Sequence, residues 1–228
     1  MNKNKIAIVG AAFRLPGNVD NLEQFWQLLL EGQNLVTQIE NDRWDTTKYS
    51  HPRKSEKGKS FTFASGVLQD VDKFDAKLFG ISPREARQMD PRQRILLELT
   101  WHALEDGLQV PSKLRGSDCG VYIGISGNEY SMVYAQDPSI IDPYTMTGNA
   151  CSIASNRISY SFDFRGPSMS IDTACSSALV SLHQACLAIQ NNEVSSAIAG
   201  CAGINLHPLA CVGFSKAKML SSDGSCSA

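Results

Sequence analysis

The 228-residue chain has no CxxC pair, no apolar run approaching a membrane span, no internal repeat and no excess of charge of either sign. Each absence removes a class of function. Seven cysteines form an odd set without a regular framework, which argues against a disulfide scaffold or a zinc site and for reduced thiols. A formal net charge of −2 gives no global attraction to nucleic acid or to an anionic membrane. The opening MNKNKIAIVG runs straight into strand-like sequence without an apolar signal core. A soluble, cytoplasmic protein without structural metal or bound cofactor is therefore expected. Histidine is also scarce, at four residues, so candidates for a general base are few.

What is present is globular. With 43% hydrophobic and 19% charged residues, the chain has enough apolar sequence for one substantial core or two small ones. KIAIVG (5–10) reads as a short apolar strand of the kind that helices cover on both faces. DNLEQFWQLLLEG (20–32) reads as a helix, with Asp20 and Glu23 at capping-box spacing, Leu22, Phe25, Trp26 and Leu29 on one face, and Gly32 as the stop. DPRQRILLELTWHALEDG (90–107) is the strongest helix signal: Asp90 as cap, Pro91 in the first turn, apolar residues at 3–4 spacing and Gly107 as the end. CGVYIGIS (119–126) reads as a buried strand and NACSIASNRISYSF (149–162) as a helix with a small-residue packing face. A strand at 168–173, a helix at 176–190 and a small-residue strand at 195–205 follow. Alternating strands and helices imply a layered α/β fold with no linker dividing it. Trp26 and Trp101 are expected in the core, and Cys175, Cys186 and Cys201 lie in segments that read as buried.

DTACSSAL (172–179) places Cys175 between the strand and the helix that follows it. A helix N-terminus stabilises a thiolate, and a strand–turn–helix presents it without a flexible stem. Ala174, Ser176, Ser177 and Ala178 are small, so an acyl carbonyl can approach the sulfur, and nearby backbone N–H groups can stabilise an oxyanion. The competing reading is a buried cysteine acting as a small hydrophobe. A base is harder to find. His183 lies eight residues along the helix, about 12 Å up its axis. His102 falls inside the 90–107 helix and His51 in a basic loop, which leaves His207 in NLHPLACV as the remaining candidate.

At this point a resemblance enters. IAIVGAAFRLPG with FWQLLLEG, FDAKLFGISPREARQMDPRQRILLELTWHALEDG, GNACSIASNRISYSFDFRGPSMSIDTACSSALVSLHQAC and GFSKAKMLSSDGSC together resemble the N-terminal half of the β-ketoacyl synthase domain of modular type I polyketide synthases. The resemblance implies a thiolase-like fold, built from two similar βαβαβ halves. Residues 1–228 would be part of the first half, ending before its last strand. It implies that Cys175 takes an acyl chain as a thioester from the phosphopantetheine arm of an acyl carrier protein. Two histidines would then help to decarboxylate a malonyl-type extender for a Claisen condensation. Those histidines sit in HGTGT-like and KxxxGH-like motifs of the second half, and neither motif is present. The second oxyanion donor and much of the acyl pocket are also assigned to that half. The resemblance further implies a homodimer, with 145–156 and the strand before Cys175 near its contact.

The expectation is a ketosynthase portion that carries the nucleophile and by itself condenses little or nothing. The alternatives are a non-catalytic module that binds acyl groups or carrier protein, and a fragment without independent function. The basic stretch 48–60, with Lys48, Arg53, Lys54, Lys57 and Lys59 against Glu56, reads first as a solvated loop and second as a contact for an acidic carrier protein. GISGNEY (124–130) lacks GxGxxG and a partner acid, so no nucleotide site is expected there.

Overall fold

The computed structural model describes residues 5–40, 43–222 and 224–225. In chain order the elements are α1 (Leu22–Glu31), β1 (Val36–Gln38), β2 (Ala64–Gly66), α2 (Pro83–Gln88), α3 (Pro91–Asp106), α4 (Pro111–Leu114), β3 (Gly120–Ile125), α5 (Ser131–Gln136), α6 (Thr145–Asn149), α7 (Cys151–Phe162), β4 (Ser168–Ile171), α8 (Ser177–Gln190), β5 (Ala197–Ala202) and α9 (Leu209–Lys216). They divide into two compact units, residues 5–12 with 71–203 and residues 13–70 with 204–225.

The first unit is built on a parallel sheet in the order β4-β3-β5, in which Gly124 pairs with Ile171 on one side and Cys201 on the other. All six residues of the central β3 are buried. Their alternation assigns the two faces. Val121, Ile123 and Ile125 join a core with Leu96, Leu97 and Leu104 of α3 and Ala154, Ile158 and Phe162 of α7, whereas Tyr122 packs with Ala185 and Ala188 of α8. A strand covered on both faces needs apolar residues at both parities, which the expected buried strand supplies. Each fully buried Val or Ile side chain contributes about 1.5–3 kcal/mol. The helix over 90–107 is also found: Asp90 accepts from the Arg92 N–H at 2.8 Å, and the Gly107 N–H donates to the Ala103 carbonyl.

The N-terminal segment departs from expectation. Residues 5–10 form no strand. Instead the Ala11 N–H donates to the Asp106 carboxylate at 2.8 Å, and Gly10 lies so close to the end of α3 that a Cβ would stand 2.2 Å from the Ala103 carbonyl oxygen. Residues 6–12 and Ala197–Cys201 both line a cavity of about 330 Å³. Among the described residues no strand pairs with the free side of β5, and Ile8 is 82% exposed. Cys201 and Cys186 border the same cavity. They are exposed and half-buried respectively, not buried as the sequence suggested.

In the second unit β1 and β2 pair antiparallel, and Ile39, Phe63 and Cys211 form a small core with Trp44 and Tyr49 against it. The cap of α1 is Asn21 rather than Asp20. Its Oδ1 accepts from the Gln24 N–H, and the Gln24 side chain returns to the Asp20 N–H, a capping arrangement displaced by one residue. Trp26 is 61% exposed, and no residue of α1 is buried. Its apolar stripe meets little among the described residues beyond an edge contact of Phe25 with Phe13. The basic stretch is more ordered than a free loop. Lys216 donates to the carbonyls of Lys54 and Glu56, Lys59 to that of Lys48, and Lys54 lies over the Phe61 ring.

Candidate active site

The nucleophile turn is laced by short hydroxyl side chains. After β4 the Asp172 carboxylate accepts from the Ala174 N–H at 3.0 Å. The Ser177 hydroxyl accepts from the Thr173 N–H at 2.9 Å and donates to the Ala174 carbonyl at 2.7 Å, and the Ser176 hydroxyl donates back to Thr173. These bonds hold Ala174 at φ +55, a left-handed conformation that a residue with a Cβ adopts at a cost. A 3₁₀ turn over Ala174–Ser176 then leads into α8. Cys175 sits within this turn, exposed, and its own N–H meets no acceptor among the described residues. The small neighbours expected from the sequence do more than leave room, since Ser176 and Ser177 tie the turn itself.

Two other elements fix the turn in place. Gly124 of β3 lies directly under the start of α8, where a Cβ would stand 2.6 Å from the Ser177 carbonyl carbon and 2.8 Å from the Ala178 nitrogen. Only glycine lets the helix N-terminus rest on the strand. On the other side, β4 is held to α7 by hydroxyl pairs at 3.0 Å, Ser170 to Ser155 and Ser159 to Ser168.

No histidine of this unit serves Cys175. His102 faces Glu105 at 3.4 Å, and His183 is exposed on α8, two turns beyond the sulfur. His51 and His207 belong to the other unit, where each ring Nδ1 accepts a nearby backbone N–H.

Sequence reasoning missed the floor of this edge of the sheet. Arg92 and Asp90 form an ion pair at 2.7 Å, with side chains 3% and 2% exposed. The Arg92 guanidinium also donates to the carbonyls of Ser126 and Gly127, at the exit of β3. Burial works against its charge, but the hydrogen bonds and charge of Asp90 prevail and hold it above its ordinary value. The available signal was the position of Arg92 two residues after a helix cap, one turn before the apolar run begins.

Cys151 donates its thiol to Gly127 O at 3.2 Å. Burial pushes this thiol up, Arg92 pulls it down, and Asp90 and Asp172 add to the rise. A raised thiol has less thiolate at a given pH. Iodoacetamide at neutral pH is therefore expected to modify the exposed Cys201 well before the partly buried Cys151. Peptide mapping measures this, and equal labelling at neutral pH would contradict it.

Comparison with known proteins places this arrangement. Residues 3–228 match the family described as β-ketoacyl synthase, N-terminal domain. Probable polyketide synthase 1 of Dictyostelium discoideum is 44% identical over 229 residues, which is 99% of this chain and 7% of that protein. Erythronolide synthase EryA2 of Saccharopolyspora erythraea is 43% identical over 224 residues, or 98% of this chain but 6% of the relative. Among solved structures, the oxazolomycin ketosynthase domain OzmH KS7 of Streptomyces albus JA3453 superposes with a TM-score of 0.89 at 36% identity, covering 96% of this chain and 38% of that one. The ketosynthase from module 6 of the bacillaene synthase of Bacillus subtilis 168 gives 0.83 at 36% identity, with 95% and 35% covered. The chain thus spans a small part of the proteins it matches, and its α/β fold is thiolase-like. The chain belongs to the β-ketoacyl synthase family, residues 3–228 matching its N-terminal domain, of the kind that modular type I polyketide synthases carry.

Proposed function

We propose that Cys175 is the acyl-accepting nucleophile of a polyketide-type ketosynthase. The observation that carries this reading is the exposed thiol on a left-handed turn, stitched by Asp172, Ser176 and Ser177 at the head of α8. In the proposed first step the Cys175 sulfur attacks an acyl thioester carried on the phosphopantetheine arm of an acyl carrier protein. The new C–S bond forms on Cys175 and the arm leaves as its thiol. The Cys175 N–H and the head of α8 favour the tetrahedral oxyanion. In the second step a malonyl-type extender loses carbon dioxide, and its carbanion attacks the Cys175 thioester. A carbon–carbon bond forms and the sulfur leaves.

The histidines of that second step belong to the part of the ketosynthase that these residues do not span. Acylation without condensation is therefore the outcome proposed for the 228 residues alone. A homodimer is part of the same reading. Exposed Met146, Tyr160 and Met169, on α6, α7 and β4, leave apolar surface for a second copy.

Intact-mass measurement after incubation with a short acyl thioester tests the role of Cys175. The wild type is expected to gain one acyl group, and Cys175→Ala is expected to gain none. An adduct that persists in Cys175→Ala, or that is spread over the other cysteines, overturns the assignment.

A further inference from the structure

The loop that leaves β3 is exposed at Ser126, Gly127 and Asn128, yet two of its carbonyls are tied down from below by a buried guanidinium. Arg92 draws the oxygens of Ser126 and Gly127 toward itself, and Asp90 fixes the guanidinium through bonds to its Nε and Nη2. The Cys151 thiol adds a second bond to the Gly127 oxygen. No peptide bond among the described residues is cis. In a trans peptide the N–H points opposite to the carbonyl. Pulling two consecutive oxygens inward therefore turns the N–H groups of Gly127 and Asn128 outward, onto the exposed side. Neither donates to an acceptor among the described residues. Gly127, at φ +77, takes a left-handed conformation, and successive N–H groups in such a stretch make a concave donor pair.

This pair stands beside the nucleophile turn. β3 and β4 are parallel neighbours, with Gly124 opposite Ile171, so the two loops leave the sheet at the same end of adjacent strands. Gly124 also touches the backbone of Ser177 and Ala178. The charge around the loop selects the kind of oxygen it receives. Glu129 follows directly and acts on Arg92, Asp172 acts on Cys151, and the charge of Arg92 is matched by Asp90. An anionic phosphate or carboxylate is disfavoured there, and a neutral hydroxyl or carbonyl oxygen is favoured.

We propose that the outward N–H groups of Gly127 and Asn128, set by Arg92 as a positioning residue, bind a neutral oxygen at C3 of the acyl chain delivered to Cys175. The site then prefers β-oxygenated acyl groups to plain alkyl ones. This rests on the reading of Cys175 as the acyl acceptor. The acyl chain delivered to Cys175 extends on the carbonyl side of the sulfur, whereas the amides of a carrier arm lie on its far side.

The test compares 3-hydroxybutyryl and 3-methylbutyryl N-acetylcysteamine thioesters, which differ by a hydroxyl in place of a methyl group. The rate of adduct formation on Cys175 is followed by intact mass. The wild type is expected to favour the hydroxy chain about five-fold, the discrimination that one neutral hydrogen bond supports. Arg92→Lys keeps a cation near Asp90 but cannot fork across two carbonyls, and its ratio is expected to fall toward one. Asn128→Pro removes one donor from an exposed position and should lower the ratio without touching the buried pair. General loss of structure slows both thioesters together and leaves the ratio as the readout. A wild-type ratio near one overturns this inference while leaving the role of Cys175 intact. A five-fold ratio that survives both variants overturns the assignment to this loop. Absence of any Cys175 adduct in the wild type overturns the functional reading on which it rests.

Discussion

Gly124→Ala is expected to lower both the stability of the sheet unit and the rate of Cys175 acylation. The added methyl would meet the Ser177 carbonyl carbon at 2.6 Å, its oxygen at 2.7 Å and the Ala178 nitrogen at 2.8 Å, all of them backbone atoms with no rotamer to yield. The head of α8 must then rise from β3. Ala185 and Ala188 pack farther along the helix against Tyr122, and the Ser181 hydroxyl reaches the Gly200 carbonyl, so the helix tilts rather than shifts as a body. Overpacking of this kind costs about 1–3 kcal/mol. The movement falls at the turn that presents the sulfur, so acylation should drop by more than stability alone explains. Gly213→Ala in α9 is the control, because a Cβ there meets nothing within 4 Å. Urea denaturation and intact-mass kinetics on both variants decide the matter. An unchanged midpoint and adduct rate in Gly124→Ala would refute the close-approach argument.

Arg92→Met is the second large effect. The substitution approximates the length of the stem but leaves the Asp90 carboxylate buried without its cation, and it releases the carbonyls of Ser126 and Gly127. Breaking a buried pair from one side costs about 3–5 kcal/mol, most of it the unpaired charge left behind. The double variant Asp90→Asn with Arg92→Met should therefore be more stable than Arg92→Met alone. It removes the stranded charge, and asparagine still caps a helix. Equilibrium denaturation of the two single variants and the double variant closes the cycle. A double variant less stable than Arg92→Met would show that the pair is not the source of the penalty.

Periodic signals were legible in the sequence. The buried strand β3 and the helix α3 were readable because local pattern and tertiary role agree there: GVYIGI is apolar at both parities, and Asp90–Pro91 is followed by apolar residues at helical spacing. The strand-to-helix position of Cys175 was readable for the same reason. Elements that depend on a distant partner were not. Residues 5–10 have strand composition, but a strand exists only by pairing, and β5 pairs only with β3 among the described residues. Trp26 sits on an amphipathic stripe, and amphipathicity records a face that seeks cover without naming what covers it. The grip of Arg92 on the β3 exit joins residues more than thirty positions apart, a distance at which no periodicity operates. The hydroxyl lacing of the turn was invisible because Ser176 and Ser177 read equally well as mere small residues.

The anchoring of residues 6–12 on α3 rather than on β5 also bears on when the segment can dock. The segment at 5–12 is synthesised long before the strand across from it, and most of the chain separates the two. What secures the segment meanwhile is local to α3: the Asp106 carboxylate on the Ala11 N–H and the fit of Gly10 against Ala103 and Gly107. Those anchors need only the helix that ends at Asp106, which is complete well before β5 is made. The early chain can thus dock on α3 without waiting for β5.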